Sequence, residues 1–419
     1  MEDTLEAASA NPGFAERLFY KSLKDIRECC ICVRHGAATR MFGDPSHSLT
    51  AELVIHNERF FTRAVLGGDI GIGEAYMDSD WSSPDVIAVV RAAIRNMPKL
   101  DARNRLISMA TRSLNYLRHW RNDNTETGSR RNIAYHYDLG NEFYSLFLDP
   151  SMTYSCACYE TPGDSLERAQ LRKFERICRK LDLQRGDHVL EIGTGWGGFA
   201  AYAANRYGCR VTTTTISREQ HAYSKDLFSS LPGAQIELLF EDYRSLTGSY
   251  DKLVSIEMFE AVGYKHYDDF FGVCERLLKH DGKMLLQTIT MNEQHFRQYL
   301  RQSDWIKKYI FPGAELASIT GILQSTTRVS SLQLTAAEDI GEHYALTLRE
   351  WRHRFTSRLQ DVRGLGFDER FVRMWTFYLA YCEAGFMEHY IGDAQLLFAK
   401  PGASGALGSD TRIDVQPDE

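Results

Sequence analysis

The chain has no apolar run approaching the ~20 residues that span a bilayer, so its sequence predicts no transmembrane helix. Its first residues, Met1-Glu2-Asp3-Thr4-Leu5-Glu6, are acidic and lack the basic and apolar segments of a secretory signal. An excess of positive charge is missing as well. The formal net charge is −7, which argues against a general nucleic-acid binder. No period marks the chain as a repeat protein. Nine cysteines are spread unevenly over 419 residues, which does not make a disulfide framework, so reduced thiols in a cytoplasmic protein are expected. Cys29, Cys30 and Cys32 have no second pair nearby to complete a zinc site, and the expectation is small apolar packing and no metal.

What is present suits a globular enzyme: 43% hydrophobic and 25% charged residues, in a chain long enough for two domains. The stretch around which the rest is organised is His188 to Phe199. Val189, Leu190 and Ile192 form a short apolar run that reads as a buried parallel strand. Gly193, Gly195, Gly197 and Gly198 then turn the chain, and Phe199 to Asn205 restarts it as a helix. Such a turn lets the backbone approach a ligand, and the next helix presents unpaired N–H groups to it.

Before this stretch, residues 1–121 read as a mostly helical N-terminal region. Phe14 to Arg34 has helical spacing in places, and Leu53 to Ile55 with Phe60 and Phe61 suggests short strands around His56 and Asn57. The glycines at 67, 68, 71 and 73 lack a clear preceding strand, so they read as loop packing rather than a second nucleotide site. From Asp101 to Arg121, Leu106, Ala110, Leu114 and Leu117 recur at helical spacing among Arg103, Arg105, Arg112, Arg118 and Arg121. That is either a basic amphipathic helix on an anionic membrane surface or a connecting helix with solvated arginines. Residues 122–130 are polar and read as a linker.

Residues 131–401 alternate helix and strand, which predicts an α/β domain with a mostly parallel sheet. Helices are expected at Ser165 to Leu181, Tyr267 to Lys279, Glu342 to Leu359 and Asp368 to Phe386. Strands are expected at Arg210 to Ile216, Gln235 to Phe240, Lys252 to Ile256, Lys283 to Ile289 and Leu396 to Phe398. Ser217 with Gln220 fits a capping box. The last residues, 402–419, read as a disordered tail.

Two cofactors compete for the glycine turn. A dinucleotide site needs G-x-G-x-x-G and an acidic residue after the second strand. Here the third glycine is placed differently, and that strand ends in Thr213-Thr214-Thr215-Ile216 with no acid. Glu191 lies inside the first strand instead, and Glu241 with Asp242 ends the third. This pattern fits S-adenosylmethionine (SAM) better.

A closer match is carried by Tyr135-His136-Tyr137-Asp138, Tyr154-Ser155-Cys156-Ala157, Gly193 to Gly198, Met258-Phe259-Glu260-Ala261-Val262-Gly263 and Lys308 to Pro312. In order and spacing these segments resemble the cyclopropane fatty acid synthase family, which includes the mycolic acid cyclopropane synthases, over about residues 50–400. The resemblance implies a class I SAM-dependent methyltransferase, an α/β Rossmann-like fold with a mostly parallel sheet, behind an N-terminal, largely helical lipid-docking domain. It implies alkylation of a cis double bond in phospholipid acyl chains by a peripheral protein at the inner face of the membrane, with a homodimer allowed. It assigns SAM contacts to Tyr154, Ser155, Gly193, Gly195, Thr215, Gln220, Glu241 and Asp242. It also places Cys156, Glu260, Ile289 and Tyr344 around a bound bicarbonate that acts as base. The chain departs from the pattern at Gln287, where the bacterial synthases have a histidine ligand to bicarbonate. Ala261 and Thr194 are milder departures, from a histidine and a cysteine.

An alkene is a weak nucleophile, and a sulfonium methyl group is a fitting electrophile for it. Transfer leaves a carbocation, which aromatic faces stabilise if water is excluded; Tyr135, Tyr137, Phe143, Tyr154, Phe259 and Tyr264 are candidates beside their ordinary role in packing. A base must then remove a proton. Glu260 could serve alone or help hold bicarbonate, and Gln287 could hold part of that anion by its amide but cannot shuttle a proton. Cys156 reads as a pocket-lining thiol rather than a nucleophile. His136 reads as base, ligand or structural histidine, and the Tyr344 hydroxyl as able to orient a small anion. Cyclopropane formation is the leading product. C-methylation without ring closure is the rival, and a silent lipid-binding protein is the reading from another class.

Overall fold

The computed structural model describes residues 13–97, 139–161 and 163–403. The basic segment Asp101 to Arg121, the linker 122–130, Tyr135, His136, Tyr137 and most of the tail lie outside the described residues. The chain forms two compact units. One joins the N-terminal residues with Arg297–Pro312 and Leu348–Ile391, and the other holds Asp123–Phe296, Gly313–Thr347 and the residues from Gly392 onward.

In the first unit, strands β1 (Cys30–His35), β2 (Ala38–Gly43), β3 (Thr50–Ile55) and β4 (Trp81–Ser82) make a sheet of order β2-β1-β3-β4. Helical spacing after Phe14 is realised only as far as Leu23. From Cys30 the chain is a strand instead, because pairing to both β2 and β3 gives its β-branched and cysteine side chains a sheet to pack in. Cys29 and Cys30 are buried there. Phe60 and Phe61 are not in a strand. They open the helix Arg59–Met77, where the Asn57 side chain accepts a hydrogen bond from the Arg59 N–H at 3.0 Å. The glycines at 67 to 73 also lie in this helix rather than in a loop, and it kinks at Gly68 (φ 56°, ψ −135°).

The second unit is built on a seven-stranded sheet of order β10-β11-β9-β8-β5-β6-β7. Its strands are β5 (His188–Ile192), β6 (Arg210–Thr214), β7 (Ile236–Leu239), β8 (Tyr250–Ile256), β9 (Leu278–Met291), β10 (Gln333–Asp339) and β11 (Ile391–Ala399). Strands β7, β6, β5, β8 and β9 run parallel, and β10 pairs antiparallel with β11. Alternation along the strands feeds two cores. Val189, Val211, Val254 and Leu285 pack with the helices Leu166–Leu181 and Gly198–Tyr207 on one face. Leu190, Ile192, Leu253, Met284 and Leu286 pack with the helix Tyr267–Leu277 on the other. Because β5 is flanked by β6 on one side and β8 on the other, the strand order reverses at β5. That reversal opens a crevice beyond the carboxyl ends of the strands. No helix among the described residues is long and apolar enough to cross a membrane.

Candidate active site

The glycine turn sits at this reversal. The N–H groups of Gly193 and Thr194 both donate to the Thr214 carbonyl, at 3.1 and 3.0 Å, tying the turn to the end of β6. Gly193 has φ 105°, and a Cβ there would come within 2.9 Å of Met258, so no other residue fits without displacement. At Gly195 (φ 53°) nothing lies within 4 Å of where a Cβ would be. This open backbone precedes the helix that starts at Gly198, the arrangement that admits a ligand against the main chain.

Of the other proposed cofactor residues, Thr215, Gln220, Glu241 and Asp242 follow the ends of β6 and β7. The Thr215 hydroxyl donates to Gln220 Oε1 at 2.9 Å and accepts from the Ser217 N–H at 3.1 Å. The Ser217 hydroxyl accepts from the Gln220 N–H, so half of the expected capping box is present, while the Gln220 side chain turns to Thr215 instead. Asp242 is buried and caps a short turn by accepting from the Arg244 N–H at 3.0 Å, whereas Glu241 is exposed. Tyr154 is half-buried with its ring 5.4 Å from that of Tyr144, and Ser155 is buried. Glu191 is buried in β5, where burial pushes its carboxyl up to about 8 and the Thr213 hydroxyl donates to it at 2.6 Å. It braces the strands beneath the turn. The donor set and the open backbone at Gly195 fit a SAM molecule.

Across the crevice, at the ends of β8, β9 and β11, a second cluster forms around a residue that the motif reading passed over. Glu257 follows β8 with φ 47°, a left-handed backbone that costs a non-glycine residue roughly 1–2 kcal/mol. Its Oε1 accepts from the Cys156 N–H at 2.8 Å and from Gln287 Nε2 at 2.8 Å. Its Oε2 accepts from the Tyr344 hydroxyl at 2.6 Å. Gln287 is completely buried; its amide also donates to Asp393 Oδ2 at 3.1 Å, and its Oε1 accepts from Gln395 at 2.9 Å. Glu260 Oε1 accepts from the Ile289 N–H at 2.5 Å and the Thr288 hydroxyl at 2.9 Å, while its Oε2 is buried without a hydrogen-bond partner.

Burial, helped by the neighbouring Glu257, raises the Glu260 carboxyl to about 7. Burial and the two glutamates push Asp393 well above the carboxylate range. The buried Lys173, lowered by burial, donates to the Ser155 hydroxyl at 2.6 Å, and its positive charge is felt by Glu257 and Asp393. Burial also lifts the Cys156 thiol far above its ordinary value, so it is a neutral wall of the site and not a thiolate.

The structure thus brings together Cys156, Glu260, Gln287, Ile289 and Tyr344, and adds Glu257, Asp393 and Lys173. A bicarbonate does not fit this arrangement. The Cys156 N–H, the Tyr344 hydroxyl and both amide hydrogens of Gln287 already serve protein carboxyl groups, and the Ile289 N–H serves Glu260. Phe143 and Phe259 are completely buried in packing, with Phe259 among Tyr267, Phe270 and Phe271, and Tyr264 is exposed. Of the described aromatic candidates, Tyr154 alone combines partial exposure with a place beside the glycine turn's neighbours. The one signal that could have disclosed Glu257 was the pair of carboxylates at three-residue spacing, Glu257 and Glu260, directly after a strand.

Comparison with known proteins agrees with this geometry. A family model described as mycolic acid cyclopropane synthetase matches residues 124–396. The tuberculostearic acid methyltransferase UfaA1 of Mycobacterium tuberculosis is 38% identical over 412 residues, which is 94% of this chain and 93% of that protein. The cyclopropane-fatty-acyl-phospholipid synthase of Escherichia coli is 36% identical over 359 residues, 84% of this chain and 89% of that one. Among solved structures, the cyclopropane synthase MmaA2 from Mycobacterium tuberculosis superposes with a TM-score of 0.61 at 31% identity, covering 65% of this chain and 98% of that one. The mycolic acid cyclopropane synthase CmaA1 complexed with SAH and CTAB gives the same TM-score of 0.61 at 31% identity, with the same 65% and 98% coverage.

Proposed function

The chain belongs to the mycolic acid cyclopropane synthetase family of SAM-dependent methyltransferases, and on that premise we propose that it alkylates a cis double bond in a phospholipid acyl chain and closes the product to a cyclopropane. The observation that carries this reading is a cluster of carboxyl groups at the end of β8, joined to the cofactor turn through Met258 packed on Gly193. A proton acceptor thus stands next to the place where the methyl donor binds.

Bound SAM supplies an electrophilic methyl group. The alkene π pair forms the new C–C bond as the methyl–sulfur bond breaks with its electron pair left on sulfur, and a cationic carbon remains on the acyl chain. Tyr154 offers that cation an aromatic face, and the buried surroundings keep water from capturing it. The chain's own carboxyl groups then take the proton. Loss from the new methyl group closes the ring, whereas loss from a neighbouring carbon leaves a methylene branch. The cofactor contacts fall to Tyr154, Ser155, Gly193, Gly195, Thr215, Gln220 and Asp242, with the exposed Glu241 at the rim. Because its substrate is a membrane lipid, we place the protein at the cytoplasmic surface of the bilayer.

A second reading, C-methylation without ring closure, is favoured by the relative of that activity, which spans 94% of the chain. Mass spectrometry of fatty acids from cells expressing the protein separates the two. A gain of one CH2 unit with the alkene replaced by a ring is expected. An alkene or a branched chain in the product would favour the second reading, and no gain would overturn both.

A further inference from the structure

We propose that Glu257 is the proton acceptor of this reaction, its carboxylate filling the anion cradle formed by the Cys156 N–H, the Tyr344 hydroxyl and the Gln287 amide, so that the enzyme works without bicarbonate. The proposal rests on the acyl-chain alkylation reading above. Three donors converge on one side chain, at 2.8, 2.8 and 2.6 Å. Two of them come from Cys156 and Tyr344, which family resemblance would give to a bound bicarbonate, and the third from Gln287, which stands where the bacterial synthases have a histidine ligand.

Four further features single out Glu257 within the cluster. Asp393 and Glu260 are buried, and burial favours their neutral acids, so the pair does not compete with Glu257 for the charge of Lys173. Glu257 is the least buried of the three carboxyl groups. Its left-handed backbone is a strained position for a long side chain, and the surrounding donors hold it there. Finally, Oε2 of Glu260 and Oδ1 of Asp393 are buried without a hydrogen-bond partner, so the cluster is not closed on itself. In the step assigned to Glu257, a C–H bond of the cationic intermediate breaks and its electron pair becomes the closing C–C bond. The proton passes to a Glu257 oxygen and leaves to water with the product. No oxidant or reductant enters.

The test uses the purified full chain with SAM and vesicles of an unsaturated phosphatidylglycerol, in buffer stripped of carbon dioxide and again with added bicarbonate. The unsubstituted enzyme should work equally well in both, and calorimetry with bicarbonate alone should give no binding heat. Glu257→Gly suits the backbone and opens the cradle; its rate should fall about 100-fold, as for loss of a general base, and recover about tenfold with bicarbonate, which should now bind. Glu257→Gln fills the cradle without a basic oxygen and should lose as much with no rescue. A parental enzyme that stalls without bicarbonate overturns the proposal, as does a Glu257→Gln variant that keeps its rate. SAM calorimetry on each variant reports whether the fold is kept. If a variant loses SAM binding, the response of the parental enzyme to bicarbonate decides alone. A parental enzyme that binds SAM but alkylates no lipid fails the substrate reading instead.

Discussion

The two sides of the crevice are held together over very different distances along the chain. On the cofactor side, Thr215 meets Gln220 and Asp242 meets Arg244, five and two residues away. On the proton-accepting side, the donors to Glu257 come from 101, 30 and 87 residues away. The turns at Thr215 and Asp242, satisfied by near neighbours, keep their shape while a ligand comes and goes. A carboxylate held from three distant segments needs the whole sheet in place, and it reports any loss of one donor as a loss of chemistry. Glu191 and Glu257 make the contrast concrete on adjacent parallel strands. One is sealed in β5, where the Thr213 hydroxyl donates to it, and favours its neutral form; the other stands at the crevice with three donors.

If the two sides are separate in function, substitutions should separate affinity from rate. The largest effect is expected at Gly195, where a left-handed backbone (φ 53°) borders open space. Alanine there costs the fold about 1–2 kcal/mol but intrudes into space assigned to the cofactor. Overlap of about 1–3 kcal/mol should weaken SAM binding roughly tenfold to a hundredfold by calorimetry. Unchanged affinity would place the cofactor elsewhere. Tyr344→Phe should do the reverse. It removes one of three donors to Glu257 at a cost of about 1–2 kcal/mol, so kcat should fall roughly tenfold and its pH profile shift, with SAM affinity intact. A variant that loses SAM binding instead would join the two sides into one.

The same difference in distance explains what could be read from the sequence. The β5 strand, its glycine turn and the cap at Ser217 are contiguous signals, and they appear where expected. Strand β10 was missed because it is an edge strand, largely exposed, whose Gln333-Leu334-Thr335-Ala336-Ala337 lacks alternation. Phe60 and Phe61 escape a sequence reading because two adjacent aromatics suit a strand as well as the buried face of a helix, and the turn in which Asn57 accepts from the Arg59 N–H leads the chain into the helix. Cys156, Glu260, Gln287, Ile289 and Tyr344 were assembled from family likeness. What likeness did not supply was the occupant of their centre. Glu257 and Asp393 acquire meaning only when β8, β9 and β11 lie side by side, a fact of topology rather than of any local pattern.

The smallest effect on activity is expected beneath the turn, at Glu191. Burial lifts its carboxyl from an ordinary 4.5 to about 8, so between those values the folded chain holds a proton that the unfolded chain has released. Stability must then decline as pH rises through that window, by up to about 1.4 kcal/mol per pH unit from this group. Glu191→Gln still accepts from the Thr213 hydroxyl but carries no titrating proton. Denaturant unfolding across the window should show a shallower decline in the variant, with SAM affinity and rate near those of the parent. Some slope should remain below pH 7 in both proteins, because Glu260 is also raised, to about 7. Parallel slopes would mean that Glu191 is ionised in the folded chain, and a loss of SAM binding would mean that it belongs to the cofactor side after all.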